Sequence, residues 1–247
     1  METLWITVGA SLWGGGGGLL VPRAAYRLCV APGEPWRAAC PAGHAFTGPG
    51  NGWLGRARCT GGDSYGPGTP ALVAVSAVTC AALACVTGAR PELLVWLLLA
   101  PVGILLAVVD FTAHRLPDAL TLPLAPALLV LLGAAALSPG AGGSWTAALL
   151  GSIALGTGFF VLFLSSPRSV GFGDVKLALA LGVVLGWHGW GSVLVGTFMG
   201  FLLFSLYGVG LILAGRTGRT DRTAVIPAGP FALVGGFVGV FLGSCAG

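Results

Sequence analysis

Two carboxylates, Asp110 and Asp174, stand at the ends of long apolar runs, where they suggest chemistry. Residues 171–176 read Gly-Phe-Gly-Asp-Val-Lys and open one run, whereas Asp110 closes an earlier one. Two neighbouring carboxylates do not ionise independently, because their repulsion keeps one of them protonated. The charged member of such a pair activates a water molecule, and the protonated member polarises a carbonyl group. If they meet, Asp110 and Asp174 would have the arrangement of an aspartic protease.

The neighbours of these acids allow two interpretations. Gly171 and Gly173 would let a substrate backbone approach closely, because glycine has no side chain to block it. Alternatively, an Asp at a helix end is a cap or an interfacial charge. Asp118 fits that second interpretation, and Asp174 can be interpreted in the same way, with Lys176 as its counter-charge or as an interfacial anchor.

The composition indicates a membrane protein. The chain has 247 residues, of which 55% are hydrophobic and only 8% charged, and its mean hydropathy is +0.92. Soluble domains carry about 25% charged residues, so this chain needs the bilayer as its solvent. The net charge of +4 is typical of membrane-protein loops and argues against a nucleic-acid partner. The 43 glycines weaken any single Gly-x-Gly match and favour close helix packing.

The apolar runs predict an all-α, polytopic membrane helix bundle with about eight transmembrane helices. Most runs approach the ~20 residues that span a bilayer. The first follows an acidic start and lacks a cleavage site, so we interpret it as a retained helix and not as a signal peptide. The predicted segments are 4–21, 71–88, 91–109, 119–138, 144–165, 175–187, 191–214 and 227–245.

The long polar segment 22–69 predicts a loop or a very small subdomain, and we divide the chain into 1–70 and 71–247. With eight crossings, the loops at 22–70, 110–118, 166–174 and 215–226 share one face. Together with Lys176 they hold all Lys and Arg residues except Arg90. The positive-inside rule makes that face cytoplasmic and both termini external, so both carboxylates would lie at the cytoplasmic boundary.

At these residues the sequence resembles the type IV prepilin peptidases, membrane aspartic proteases with a GxGD motif. Asp110 with residues 116–123 looks like the first catalytic block, residues 171–176 like the second, and residues 226–231 like the start of the last helix. The resemblance implies that Asp110 and Asp174 are catalytic, with Gly171, Gly173, Lys176 and Pro117 in substrate-binding or supporting roles. It also implies cleavage of leaders from prepilin-like or pseudopilin-like substrates at the cytoplasmic face of the inner membrane, without a cofactor.

The resemblance continues with differences into the loop at 22–69, where the family carries two Cys-x-x-Cys pairs that give a zinc site. Each pair here keeps one cysteine, Cys40 and Cys59. We favour two unpaired thiols, and a mixed site that His44 and Asp63 would complete is the alternative. A disulfide is disfavoured in a reducing cytosol. The family links this region to N-methylation by S-adenosylmethionine, so the lost cysteines argue against zinc and methyl transfer while leaving the protease blocks intact.

Two alternatives to a protease stay open. One is a non-catalytic membrane transporter or pilus-assembly factor, which charges inside the helices would favour. Most charges fall in loops, which favours a site at the membrane surface. The other is a degenerate relative that binds pilins without cutting them.

Overall fold

The computed structural model of the chain describes residues 1–31, 33–59, 61–167, 170–215 and 226–246. The described residues form helices and no named strands; the only strand-like features among them are two isolated bridges, Ala39 to Ala45 and Arg58 to Ser64. The predicted all-α class is therefore confirmed. The chain divides into two compact units, Met1–Arg115 and Leu116–Gly247. The predicted division of the chain at residue 70 stays a prediction.

Among its described residues, unit 1 contains three long helices and one short left-handed turn. In chain order they are α1 (Glu2–Leu28), the turn α2 (Pro49–Gly52), α3 (Thr69–Thr87) and α4 (Glu92–Ala113). The glycines of α1 let it lie directly against α3: a Cβ at Gly18 would lie 2.7 Å from the carbonyl oxygen of Leu72, and one at Gly14 would lie 2.8 Å from Sγ of Cys80. Small residues at such an interface permit close helix packing in lipid.

The loop between α1 and α3 folds on the end of α1. Its small core comprises Cys40, Ala57 and Tyr65, against which Tyr26 of α1 packs. Arginines satisfy much of its backbone: Arg23 donates to the carbonyl oxygens of Thr47 (2.9 Å), Leu54 (3.4 Å) and Arg56 (3.2 Å). The polar segment is thus a very small subdomain that arginine and aromatic side chains hold together.

The part of unit 2 that the structure describes contains five helices. They are α5 (Asp118–Ala136), α6 (Trp145–Ser165), α7 (Phe172–Trp187), α8 (Trp190–Leu213) and α9 (Gly229–Ala246). Glycines again set the closest approach, since a Cβ at Gly182 of α7 would lie 2.6 Å from Cα of Ser152 of α6. Residues 177 and 178 and residues 182–187 of α7 are all buried. This buried helix carries Asp174 in its first turn.

The eight long helices correspond one to one with the predicted segments. Six of them, α1, α3, α4, α5, α6 and α8, are long and apolar enough to cross a bilayer. Helix α7 has 16 residues, and α9 is also a shorter apolar helix. The chain is thus a multi-pass membrane protein, while its exact span count and its orientation stay predictions. Four of the counted loop arginines, Arg168, Arg216, Arg219 and Arg222, lie outside the described residues.

Candidate functional site

The first turn of α7 is built around the Asp174 carboxylate. Its Oδ2 accepts a hydrogen bond of 3.0 Å from the backbone N–H of Gly171. The first N–H groups of a helix lack partners within the helix, and a carboxylate in the first turn both satisfies one of them and complements the helix dipole. Asp174 therefore does cap its helix, and it does so through one carboxylate oxygen.

The two motif glycines have different surroundings. A Cβ at Gly173 would lie 3.2 Å from Cβ of Leu116, whereas a Cβ at Gly171 would meet nothing closer than the Asp174 carboxylate at 3.5 Å. Gly173 is therefore a packing residue, which brings the segment before α5 against the start of α7. Close substrate approach over Gly171 and Gly173 stays a prediction.

Lys176 pairs with Asp118. Its Nζ lies 2.6 Å from Oδ1 of Asp118, and the side chains are 12% and 64% exposed, respectively. The Lys176 ammonium also lies 4.9 Å from the centre of the Phe172 ring. We expected Asp118 to cap α5, but the capping position is Pro117 and no side chain caps that helix. Asp118 is instead a first-turn residue whose carboxylate binds Lys176.

Pro117 begins α5 from a buried position. Its carbonyl oxygen accepts backbone hydrogen bonds from Leu120 and Thr121, both 3.0 Å long, and a third from the Thr121 hydroxyl at 3.2 Å. Its fixed φ suits the start of a helix. Pro117 thus stands at the N-cap of α5, directly before Asp118, and its supporting role at the site stays a prediction.

Asp174 also borders an apolar cleft of about 90 Å³ in unit 2. Its walls come from α6, α7, α8 and α9, and include Phe159, Phe201 and Phe204. Thr197 lines the same cleft, and its buried hydroxyl has no hydrogen-bond partner among the described residues.

Asp110 lies in the last turn of α4 in unit 1 and is 5% exposed. The helix ends at His114, whose left-handed backbone (φ 50°) turns the chain and whose N–H donates 2.8 Å to the carbonyl oxygen of Asp110. His114 itself is exposed. The prediction that places both acids at helix ends is confirmed, and the pairing of Asp110 with Asp174 stays a prediction.

The loop of unit 1 brings three metal-ligand side chains together. Sγ of Cys59 lies 2.9 Å from Sγ of Cys40 and 3.0 Å from Nδ1 of His44, and Sγ of Cys40 lies 3.6 Å from the same nitrogen. The two thiols are not joined in a disulfide. Hydrogen bonding with the Cys40 thiol, the backbone of Gly61 and His44 lowers the pKa of the Cys59 thiol to about 7.

Two similar turns position these ligands. In the first, Cys40 N–H donates to the carbonyl oxygen of His44 (2.9 Å), and in the second Cys59 N–H donates to that of Asp63 (2.7 Å). Gly43 is the third residue after Cys40, and Gly62 is the third residue after Cys59. Their φ angles are 82° and 94°, respectively. His44 and Asp63 are thus equivalent in their turns, but only His44 joins the ligand cluster, whose donor atoms all lie within 4.8 Å of one another.

This cluster fits three of the four positions of the zinc site that the resemblance implies. Zn–S bonds of about 2.3 Å and Zn–N bonds of about 2.1 Å place tetrahedral sulfur ligands about 3.8 Å apart and a sulfur and a nitrogen about 3.6 Å apart. The 3.6 Å between Sγ of Cys40 and Nδ1 of His44 matches that geometry. The thiol of Cys59 would have to move outward, because it lies 2.9 Å from Sγ of Cys40 and 3.0 Å from Nδ1 of His44. Of the predicted candidates, Asp63 is the one that the structure does not bring to the cluster.

Some interactions at the site were not foreseen in the sequence. The Asp118–Lys176 pair and the Leu116–Gly173 contact join residues far apart in the chain, so no local spacing indicates them. Glu92 was also overlooked: it begins α4 and is fully buried. Its position at the edge of an apolar run was the available signal, because a buried acid in a membrane helix is seldom incidental.

The helices and the buried or partly buried acids at their ends define a multi-pass membrane protein with a candidate carboxylate site. Comparison with known proteins identifies its class: the sequence profile of the type IV leader peptidase family matches residues 97–246. The chain therefore belongs to the type IV leader peptidase family. The matched region includes α5 to α9, Asp110 and Asp174, and it leaves out the loop that carries Cys40 and Cys59.

Individual relatives agree with this family. Proteins named prepilin leader peptidase/N-methyltransferase are similar to the chain in Aeromonas salmonicida strain A449 (32% identity over 154 residues, 61% of this chain and 48% of the relative) and in Burkholderia pseudomallei strain 1026b (32% over 149 residues, 56% and 43%). A relative of the same name in Klebsiella pneumoniae is 33% identical over 135 residues, 54% of this chain and 58% of the relative. The chain spans about half the length of the curated relatives it matches. No solved structure matches it.

Proposed function

We propose that the chain is a membrane-embedded aspartic endopeptidase that removes the leader from prepilin-like or pseudopilin-like proteins. The observation that carries this proposal is the Asp174 carboxylate at the start of α7, inside the region matched by the family, with one oxygen held by Gly171 and an apolar cleft beside it. A carboxylate fixed at the edge of such a cleft is suited to peptide chemistry at a membrane surface.

Asp110 and Asp174 are the proposed catalytic pair. The charged acid takes a proton from a water molecule, whose oxygen attacks the carbonyl carbon of the scissile peptide, while the protonated acid donates its proton to the carbonyl oxygen. The tetrahedral intermediate then collapses: the C–N bond breaks, the departing nitrogen takes a proton from the first acid, and the carbonyl re-forms as one hydroxyl group of the intermediate returns its proton to the second acid. The two acids titrate as a pair, so their protonation is a property of both.

The apolar cleft would receive the side chain of one apolar substrate residue beside the scissile bond. It is lined largely by leucine, phenylalanine, alanine and glycine, so a polar side chain would lose its water there and meet few hydrogen-bonding groups besides Thr197 and Asp174. Phe201 and Phe204 would then limit the size of the residue accepted. This arrangement would hold the peptide across Asp174 with its apolar part directed into the membrane.

The proposed orientation places the site at the cytoplasmic face of the inner membrane. It is supported by the Lys and Arg residues of the sequence, nearly all of which fall in the four loops predicted to share one face with Asp110 and Asp174. The basic leader of a prepilin-like substrate would then remain on the side where the protein was made, and its apolar segment would enter the bilayer.

Methyl transfer is outside the proposal, because the loop that the resemblance links to it has Gly43 and Gly62 after Cys40 and Cys59 where the family has cysteines. Cys40, His44 and Cys59 would hold a zinc ion, which would crosslink the two turns of the loop. No step of peptide hydrolysis needs that ion or S-adenosylmethionine.

Co-expression with a prepilin in a host lacking its own leader peptidase tests this function. Mass spectrometry of the recovered pilin should show loss of the leader, and the presence or absence of one added methyl group reports on methylation. An intact precursor from several prepilins, with the protein inserted in the membrane, would contradict the proposal and favour a transporter or a pilin-binding protein.

A further inference from the structure

A second cavity, of about 580 Å³, lies in unit 1 where the loop rejoins the membrane helices. Its loop side includes Arg56, Arg58 and Tyr65, and its helix side includes Leu19 of α1 and Val73 of α3. Its volume falls in the ordinary range of small-molecule sites, about 300–1,000 Å³. We propose that this cavity binds the phosphate head group of an anionic phospholipid, with an acyl chain against α1 and α3.

The charge of the cavity comes from Arg56 and Arg58, both of which are exposed. Neither guanidinium forms a salt bridge or a hydrogen bond within the part of the chain that the structure describes, and Asp63, a nearby carboxylate in the sequence, pairs with neither. Two arginines that line one cavity, and whose guanidinium groups have no partner among the described residues, could bind phosphate, whose oxygens accept their paired N–H groups.

The backbone holds these arginines in place while leaving their side chains available. The carbonyl oxygen of Arg56 accepts 3.2 Å from Nε of Arg23 and 2.9 Å from the N–H of Arg58. The backbone of Arg58 forms an isolated antiparallel β-bridge with that of Ser64. Both positions are therefore fixed by the fold of the loop, so the site is preorganised and not merely a basic stretch of sequence.

The start of α3 adds to the positive potential. Gly68 is the N-cap of this helix and supplies no side chain to its first turn, and Thr69 lines the cavity. The N-terminal end of a helix carries a partial positive charge and free N–H groups, which favour an anion. This contribution supports the two arginines.

The apolar residues on the helix side of the cavity favour a lipid over free phosphate as the ligand. Leu19, Val73 and Ala74 belong to two of the helices that are apolar enough to cross a membrane. The cavity thus joins a basic loop to a bilayer-facing surface, as expected for a molecule with both a phosphate and an acyl chain. Basic pockets beside membrane helices are known to bind anionic lipid head groups.

The test measures binding of phosphatidylglycerol, phosphatidylcholine and inorganic phosphate to the full chain in detergent by native mass spectrometry. Wild type should retain phosphatidylglycerol in preference to phosphatidylcholine. Arg56→Gln and Arg58→Gln should each weaken phosphatidylglycerol binding about fivefold, the factor expected for one basic residue near a membrane surface. Arg90→Gln, a basic residue outside the cavity, should leave binding unchanged.

A charge-preserving variant and a melting-temperature measurement serve as controls. Arg56→Lys with Arg58→Lys preserves the charge and should retain most of the preference, and an unchanged melting temperature in phosphatidylcholine shows that the glutamine variants are folded. Equal phosphatidylglycerol binding by wild type and the double glutamine variant would overturn the proposal. Displacement of the lipid by millimolar inorganic phosphate would also overturn it, because the site would then be one for free phosphate.

Discussion

The ammonium group of Lys176 lies 2.6 Å from Oδ1 of Asp118, which ties the first turn of α7 to the first turn of α5. Lys176 lies two residues after Asp174 in the sequence. Leu116 packs on Gly173, the residue directly before Asp174. These two contacts hold the segment that carries the candidate carboxylate against the start of α5. The surroundings of Asp174 are therefore set by a long-range contact as well as by the helix itself.

Breaking this ion pair should reduce the rate of leader cleavage, because the segment that carries Asp174 would be held less firmly against α5. We expect Lys176→Met and Asp118→Asn each to lower activity severalfold and stability by about 0.5–1 kcal/mol, since Asp118 is largely exposed and exposed pairs contribute little. The double variant should be no worse than either single variant. Thermal unfolding and initial rates of prepilin cleavage, combined in a double-mutant cycle, measure this; additive losses would show that the two side chains act independently.

Gly173 should be far more sensitive to substitution than Gly171. Gly173→Ala places a methyl group 3.2 Å from Cβ of Leu116, closer than an ordinary contact, whereas Gly171→Ala meets only the Asp174 carboxylate at 3.5 Å. We expect at least a tenfold loss of activity for Gly173→Ala and a smaller loss for the matched Gly171→Ala. Adding Leu116→Gly, which removes the Cβ that the new methyl group would meet, should restore part of the Gly173→Ala activity, and equal losses at both glycines would favour direct substrate contact.

Enlarging the apolar cleft should change substrate preference. Phe201 lines the cleft, and Phe198 on the same helix does not. We expect Phe201→Ala to raise kcat/KM for prepilins with a larger apolar residue beside the scissile bond, relative to those with a smaller one. Phe198→Ala is the control and should leave the ratio unchanged. If both variants show the same ratio of kcat/KM values for the two kinds of prepilin, the cleft does not take part in substrate recognition.

The loop cluster should bind a thiophilic metal ion through three side chains. Purified wild type is expected to retain about one zinc ion per chain, and His44→Ala or Cys59→Ser should lose it, while Cys85→Ser, which alters an exposed cysteine outside the cluster, should not. Removing the metal with a chelator should lower the melting temperature. Wild type and Cys59→Ser with the same metal content would show that Cys40 and Cys59 are simply free thiols.

The helix positions could be predicted because a bilayer-spanning helix needs about 20 apolar residues. The predicted run 71–88, for example, corresponds to α3 (Thr69–Thr87). The end of α1 was misjudged: the run stops at Val21, but the helix continues through Pro22 to Leu28. Polar residues extend it because they find partners in the loop, as with Arg27, whose guanidinium lies 3.9 Å from the centre of the Trp53 ring.

The candidate site was predictable only in part. The position of Asp174 in the first turn of α7 followed from its place before an apolar run. The Lys176–Asp118 pair did not, because its members are 58 residues apart in sequence and either local interpretation of Lys176 was reasonable. His44 could be named as a candidate ligand, but its selection over Asp63 depended on how two similar turns face each other.

The central claim, that Asp110 and Asp174 form the catalytic pair, is tested most directly by replacing each with asparagine. Asparagine keeps the shape of the side chain but cannot exchange a proton, so Asp110→Asn and Asp174→Asn should each reduce leader cleavage 10²–10⁴-fold in membrane-inserted protein of normal melting temperature. The double variant should be no worse than the more damaged single variant. If both single variants cleave prepilin at the wild-type rate, the aspartates are structural caps and the proposed mechanism is wrong.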